Sequence, residues 1–287
     1  MYVVAGATGR VGSVVATRLL EAGADVGVLV RRPQDAASWE ARGARAHRVD
    51  LEDRAALSGV LAGCAGFFVL LPFDLTVDDL DAHADTLIAS IAGAVGDQRV
   101  PHVVMLSSGG ADLTDGTGPI TWLHRLERAL LRTGTTLTAL RPGHFQEKVG
   151  DVVDAARGAG VYPVFAASAD VPLPLVATRD IGVAAAAALL SPPAASEAVD
   201  VLGPAYTERA VAALLADALG RELLVEPLPE EAWVGALQEA GFAGHVARSL
   251  AELYRADEHG LLAPRGDRRV DASTPMETTL ERLVAAG

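Results

Sequence analysis

The run VVAGATGRVG at residues 3–12 sets Gly6, Gly9 and Gly12 three residues apart, directly after a short apolar segment and ahead of one with helical period. A residue without Cβ permits positive φ and lets peptide planes approach a bulky anion. Backbone N–H groups at the start of the following helix, with its macrodipole behind them, suit that anion. A pyrophosphate is expected there, with the Thr8 hydroxyl either donating to a phosphate or capping the helix. A glycine-rich turn that only packs tightly is the bland alternative, and the strand-turn-helix context favours the anion. No Gly-Lys-Ser or Gly-Lys-Thr follows Gly12, which disfavours a nucleoside triphosphatase.

Outward from this turn, β-branched runs alternate with helical segments, the pattern of a parallel sheet covered on both faces. Strands are expected near Tyr2–Ala5, Asp25–Val30, Arg45–Val49, Gly66–Leu71, His102–Ser107 and Leu137–Arg141. The expected helices are Arg10–Ala22, Pro33–Ala41, Arg54–Leu61, Thr76–Val95 and Ile120–Arg132. Beyond Pro142 the alternation loosens, with too few long strands for a second sheet of similar size. The reading is therefore α/β: a doubly wound parallel sheet over residues 1–142 and a smaller α+β lobe over 143–287, with the helix near 180–190 packing back on the sheet. Ligands sit outside the carboxyl ends of such strands, so the lobe is expected to roof the site.

Composition narrows the partners. With 37 acidic and 24 basic residues the formal charge is −13, a field that repels nucleic acid and anionic lipid. The expected partner is a small molecule. The single cysteine, Cys64, excludes an internal disulfide and reads as a small core residue in a chain compatible with a reducing compartment. The longest apolar runs are too short to cross a bilayer, and a strand at Tyr2 leaves no room for an export signal. A cytoplasmic protein is expected, and monomer and homodimer both stay open.

The second strand ends VLVRRP, and Arg31 and Arg32 offer guanidinium groups suited to a 2′-phosphate, with no carboxylate beside them. NADP(H) is the cofactor expected. Asp50 either accepts from the adenine amino group or caps the next helix. The cofactor contacts expected on this basis are Gly6, Thr8, Gly9, Arg10, Val11, Gly12, Arg31, Arg32, Asp50, Leu51, Leu71, Pro72 and Ser107. No metal site is read.

GATGRVG at 6–12, VVMLSSGGA at 103–111, WLHRLERALLRTGTTLTALRPGHFQEK at 122–148 and ATRDIGVAAAAAL at 177–189 together resemble the NmrA-like atypical short-chain dehydrogenases. LGPAYTERAVAALLADALGR at 202–221 continues the likeness, which fades beyond Leu223. The resemblance implies a Rossmann-type domain and NADPH-dependent reduction of an apolar quinone, enone, ketone or imine, of the kind met in specialised metabolism; a redox sensor that binds NADP(H) without turnover is the alternative. Two departures matter. The Tyr-x-x-x-Lys pair of classical members is absent, and Lys148 stands where the subgroup often has asparagine.

Candidate proton donors are His124, with Glu127 and Arg128 on the same helical face, and Ser108 or Ser107 at the mouth of the fifth strand. Each has a structural alternative: a hydrogen-bonded patch on the helix, or a strand end. A quinone or conjugated acceptor disperses charge and can take its proton from solvent, which fits the missing tyrosine. Phe73, Trp122, His144, Phe145 and Gln146 are read as substrate lining, with the core as the competing place for the aromatic ones.

Overall fold

The computed structural model describes residues 1–285. The first half runs β1 (Tyr2–Val4), α1 (Arg10–Glu21), β2 (Val26–Val30), α2 (Pro33–Glu40), β3 (Arg45–Arg48), α3 (Arg54–Leu61), β4 (Gly66–Leu70), α4 (Leu80–Gln98), β5 (His102–Leu106), α5 (Ile120–Arg132) and β6 (Thr136–Pro142). The second half runs β7 (His144–Phe145), a 3-10 helix (Gln146–Val152), α6 (Val153–Ala159), β8 (Val161–Val164), β9 (Leu173–Val176), α7 (Thr178–Leu190) and β10 (Glu197–Leu202). It ends with β11 (Ala205–Tyr206), α8 (Glu208–Leu219), β12 (Leu224–Pro227), α9 (Glu230–Glu239), α10 (Gly244–Glu258), β13 (Arg268–Asp271) and α11 (Met276–Ala285).

The central sheet has eight strands in the order β13-β10-β6-β5-β4-β1-β2-β3, every neighbouring pair parallel. The order reverses between β1 and β4, which opens the ligand crevice of a Rossmann-type doubly wound sheet. Because successive strand residues face opposite sides, adjacent residues feed two different cores. Val3, Phe67 and Val103 meet Leu57, Ile91 and Leu126 on one face, and Val4, Phe68 and Val104 meet Leu19, Trp39 and Ile181 on the other. Each such buried side chain is worth about 1.5–3 kcal/mol. The β3 edge carries Arg45 and Arg48, exposed charges that discourage pairing with another chain.

Two expectations need correcting. The fourth helix starts at Leu80 rather than Thr76, since Asp79 accepts from the Ala82 N–H at 2.9 Å and Asp74 closes a turn on Thr76. The sheet also takes two strands from the second half: β10 pairs with β6, and β13 with β10. Residues 143–287 therefore do not form a separate lobe throughout. The lobe proper has its own apolar centre of Val149, Tyr162, Val211, Leu215, Met276 and Leu280 beside the small sheets β11-β9-β7 and β12-β8.

One buried group couples this core to acidity. His102 on β5 is 2% exposed, its Nε2 stands 3.0 Å from Thr138 Oγ1, and its Nδ1 is buried without a partner among the described residues. Burial holds its pKa below the ordinary value. An unfolded chain therefore binds a proton near pH 6.5 that the folded chain refuses, so stability is full above that pH and falls as the pH drops through and below it. Urea unfolding at pH 7.5 and 5.5 is expected to show this slope, up to about 1.4 kcal/mol per pH unit from this residue, and His102→Gln is expected to flatten it.

Candidate active site

The glycine turn divides its labour. Gly6 has φ +65°, and Gly9 donates its N–H to the Gly6 carbonyl at 2.9 Å. A Cβ on Gly12 would lie 2.3 Å from the Gly6 oxygen and 2.8 Å from the Ala5 oxygen, so this glycine seats α1 on the turn. Thr8, Gly9 and Arg10 are exposed at the carboxyl end of β1. Gly9 is the N-cap of α1, no side chain caps the helix, and no acidic residue enters its first turn. The capping role weighed for Thr8 is therefore not used. The N–H groups of Arg10, Val11 and Gly12 are left by helix geometry to an outside acceptor, a donor set that fits a pyrophosphate.

At the end of β2 the structure separates the two arginines. Arg32 is clasped by Asp35, Nε to Oδ2 at 2.8 Å, which corrects the expectation that no carboxylate lies nearby. The hydrogen bond and charge of Asp35 hold the Arg32 pKa above its ordinary value. Arg31 is exposed and forms no ion pair among the described residues. Asp50 does not cap α3: its carboxylate accepts from the Glu52 N–H, and Asp53 takes the cap through Ala56. One Asp50 oxygen stays available. Leu51 is half-buried and Leu71 buried, while Pro72 and Phe73 lie exposed beyond β4.

Beyond β5 and β6 the chemistry is rearranged relative to expectation. Ser107 is 3% exposed and donates to Glu127 Oε1 at 2.5 Å. Glu127 also accepts from Arg141, Nε at 3.1 Å and Nη2 at 2.6 Å. Burial opposes the Arg141 charge, yet Glu127, Asp112 and Asp200 outweigh it and hold the guanidinium pKa above its ordinary value. Glu127 thus does not hold His124. The His124 Nδ1 is 2.9 Å from the Ala111 carbonyl, and its ring lines a groove with Asp85, Arg125 and Arg128. The serine expected as a free donor and the histidine expected beside Glu127 are both engaged elsewhere. Ser108 is half-buried, with no partner for its hydroxyl among the described residues.

The substrate-lining set also divides. Trp122 is 5% exposed in the core and donates its indole N–H to Asp81, with the Phe73 ring tilted against it at 5.6 Å between centroids. Gln146 is 1% exposed; its amide donates to the Leu175 and Thr274 carbonyls and its oxygen accepts from Thr279. Neither is placed to line a cleft. Phe145 packs at the margin of the core, whereas His144 is partly exposed and paired with Asp257 of α10. That helix and its continuation cross the sheet mouth: His245 bonds the Val77 carbonyl, and the Leu262 backbone lies against Gly109 with no room for a side chain.

Lys148 is exposed on the 3-10 helix. Lost hydration pulls its pKa down, against the raising effect of Asp257, Asp151 and Glu208. Sequence reasoning missed Arg141 and Asp257. Arg141 stood inside the quoted LRP stretch, whereas Asp257 lies 113 positions from His144 with no local signal.

A family model described as NAD(P)H-binding matches residues 6–168. The chain is 35% identical over 234 residues to a (4-alkanoyl-5-oxo-2,5-dihydrofuran-3-yl)methyl phosphate reductase of Streptomyces griseus subsp. griseus, covering 81% of this chain and 78% of that one. It is 28% identical over 255 residues to an NAD(P)H azoreductase of Xenophilus azovorans, 88% and 86% of the two chains. Among solved structures, Citrobacter sp. triphenylmethane reductase complexed with NADP(H) superposes with a TM-score of 0.82 at 20% identity, over 99% of this chain and 100% of that one.

Proposed function

The chain belongs to the NAD(P)H-binding family and is an oxidoreductase, and we propose that it is an NmrA-like atypical short-chain dehydrogenase that uses NADPH to reduce a small apolar conjugated acceptor. Quinones, enones, ketones and imines are the acceptor classes. The observation that carries the reading is the unspent N-terminus of α1 behind Gly6–Gly12, with Arg31 at the end of β2 in no ion pair among the described residues. Residues 1–142 supply the dinucleotide platform, and α10 with the β7 segment supplies the roof. The similar proteins are named as reductases of a dihydrofuranone phosphate, of azo compounds and of triphenylmethane.

Bound NADPH supplies the hydride. The chain's own part is to hold the pyrophosphate on the N–H groups of Arg10, Val11 and Gly12, the 2′-phosphate on Arg31, and the acceptor against Phe73 and His144 under the roof. The discriminating experiment is fluorescence titration of NADPH and NADH together with turnover on a panel of quinones and enones. Tight NADPH binding without turnover on any acceptor would return the sensor reading.

Arg31 and Arg32 should then differ. A guanidinium bonded to a phosphate is worth about 1.5–3 kcal/mol, roughly a 10- to 100-fold change in affinity. Arg31→Ala is expected to weaken NADPH by that factor and leave NADH unchanged. Arg32→Ala, whose side chain is already committed to Asp35, is expected to cost NADPH less than Arg31→Ala.

A further inference from the structure

We infer that His144 is the group that hands a proton to the reduced acceptor and that Asp257, reaching down from the roof, fixes its ring for that transfer. The inference rests on the reductase reading above and adds the acid which that reading lacks.

Ser108 keeps a hydroxyl unengaged among the described residues at this mouth, but an alcohol is a far weaker acid than an imidazolium, and the other candidate donors are occupied. Ser107 is spent on Glu127, Glu127 on Arg141, and the His124 ring on the Ala111 carbonyl. His144 is the first side chain beyond Gly143 at the carboxyl end of β6, where a doubly wound sheet receives its ligand. The Gly109 N–H donates to the Pro142 carbonyl, so the β5 exit with Ser108 runs beside the His144 segment. The His144 side chain is 20% exposed, and its Nε2 is 3.1 Å from Asp257 Oδ1. A carboxylate accepts, so the hydrogen on Nε2 is fixed and Nδ1 becomes the nitrogen that takes up and releases a proton. Nδ1 has no protein partner among the described residues.

Charged and titratable groups gather around Lys148, four residues beyond His144. The 3-10 helix brings Lys148 and Asp151; α8 brings Glu208, which accepts from the Tyr162 hydroxyl on β8; and α10 brings Tyr254 as well as Asp257. The strand paired with β7, β9, is Leu-Pro-Leu-Val and brings no charge. Lys148 lies near Asp257 as well, which places one basic side chain among these acidic ones.

The step balances. As hydride adds to the acceptor carbon, the π pair of the C=O or C=C–C=O system moves to oxygen, and the proton leaving His144 Nδ1 forms the O–H bond; an enol formed this way tautomerises in solvent. The acceptor gains two electrons, NADPH becomes NADP+, and neutral His144 is reprotonated from water. A general acid of this kind contributes about 10²- to 10⁴-fold.

The test uses the full chain with two acceptors: an enone, which needs a proton, and a triarylmethane cation, which becomes neutral on receiving hydride and needs none. His144→Gln is expected to lose at least tenfold more kcat on the enone than on the cation. Asp257→Asn is expected to lose kcat on the enone with little change in KM and a displaced pH profile, and Asp257→Glu to restore part of it. In the cofactor-free protein, ¹⁵N NMR should show the His144 ring held with its hydrogen on Nε2, and a mixture of tautomers in Asp257→Asn. Equal losses on both acceptors, an unimpaired His144→Gln chain, or a tautomer indifferent to Asp257 would overturn the acid. A wild-type chain inert toward both acceptors would overturn the reductase reading itself and the acid with it.

Discussion

Gly12→Val is expected to abolish measurable NAD(P)H binding and to destabilise the fold at once. The Cβ of any side chain at position 12 would stand 2.3 Å from the Gly6 oxygen, 2.6 Å from the Gly6 carbonyl carbon and 2.8 Å from the Ala5 oxygen. These are backbone atoms of β1 and its turn, so no rotamer change relieves the clash; α1 must move off the strand. Overpacking of this kind costs about 1–3 kcal/mol in stability. Displacing α1 also misaims its first N–H groups. A hydrogen bond to a charged acceptor is worth about 1.5–3 kcal/mol, so losing two weakens the dinucleotide at least about 100-fold.

Gly9→Ala is the informative partner. Its Cβ would lie 3.3 Å from the Gly6 oxygen, and the native angles, φ −93° and ψ 174°, suit alanine. The fold should therefore lose no more than about 1 kcal/mol, the usual cost of alanine at an N-cap. Its added methyl stands on the exposed face where the pyrophosphate must approach. Urea unfolding and NADPH fluorescence on the two variants separate the seat of the helix from the seat of the ligand. Unimpaired binding by Gly12→Val would sink the assignment of the turn.

The sequence carries information about this protein wherever chemistry is local. The βα alternation, Gly6 to Gly12 and the proline opening α2 are decided within a few residues of themselves, and the structure places them close to expectation. Helix ends were less legible. Asp79 and Asp53, rather than Thr76 or Asp50, hold the caps, because several acidic residues lie within reach and only one has the required backbone geometry. The return of β10 and β13 to the sheet was not legible either. What places them is pairing across long separations, Val199 with Leu140 and Val201 with Val270.

The site shows the same division. The His124, Glu127, Arg128 spacing predicts a shared helical face, but a face is about 100° wide. Glu127 turns toward Arg141 and Ser107, whereas His124 turns toward Ala111 and the neighbouring helix. Which way each points is set by a partner 13 to 20 residues distant. The pairing of His144 with Asp257 is more remote still, and it exists only because α10 crosses the sheet mouth.

Arg141 and Glu127 are expected to give the largest single-residue losses of stability outside the glycine turn. Both are buried, at 9% and 5% exposure, and they meet through two hydrogen bonds. Breaking a buried ion pair from one side leaves a charge with neither water nor counter-ion, a loss of about 3–5 kcal/mol. Arg141→Met leaves the Glu127 carboxylate with Ser107 as its remaining donor, and Glu127→Gln leaves a guanidinium facing only the more distant Asp112, 3.9 Å away, and the nearby Asp200. In the double variant neither charge is stranded, so its loss should fall below the sum of the single losses by at least about 2 kcal/mol, within the range found for residues in one network. Urea unfolding of all four chains measures that coupling. Strict additivity would mean that the pair does not hold α5 against the ends of β5 and β6. With coupling of the expected size, the same variants should also weaken NADPH, because the strand exits that carry Ser108 and His144 are registered to each other through this pair.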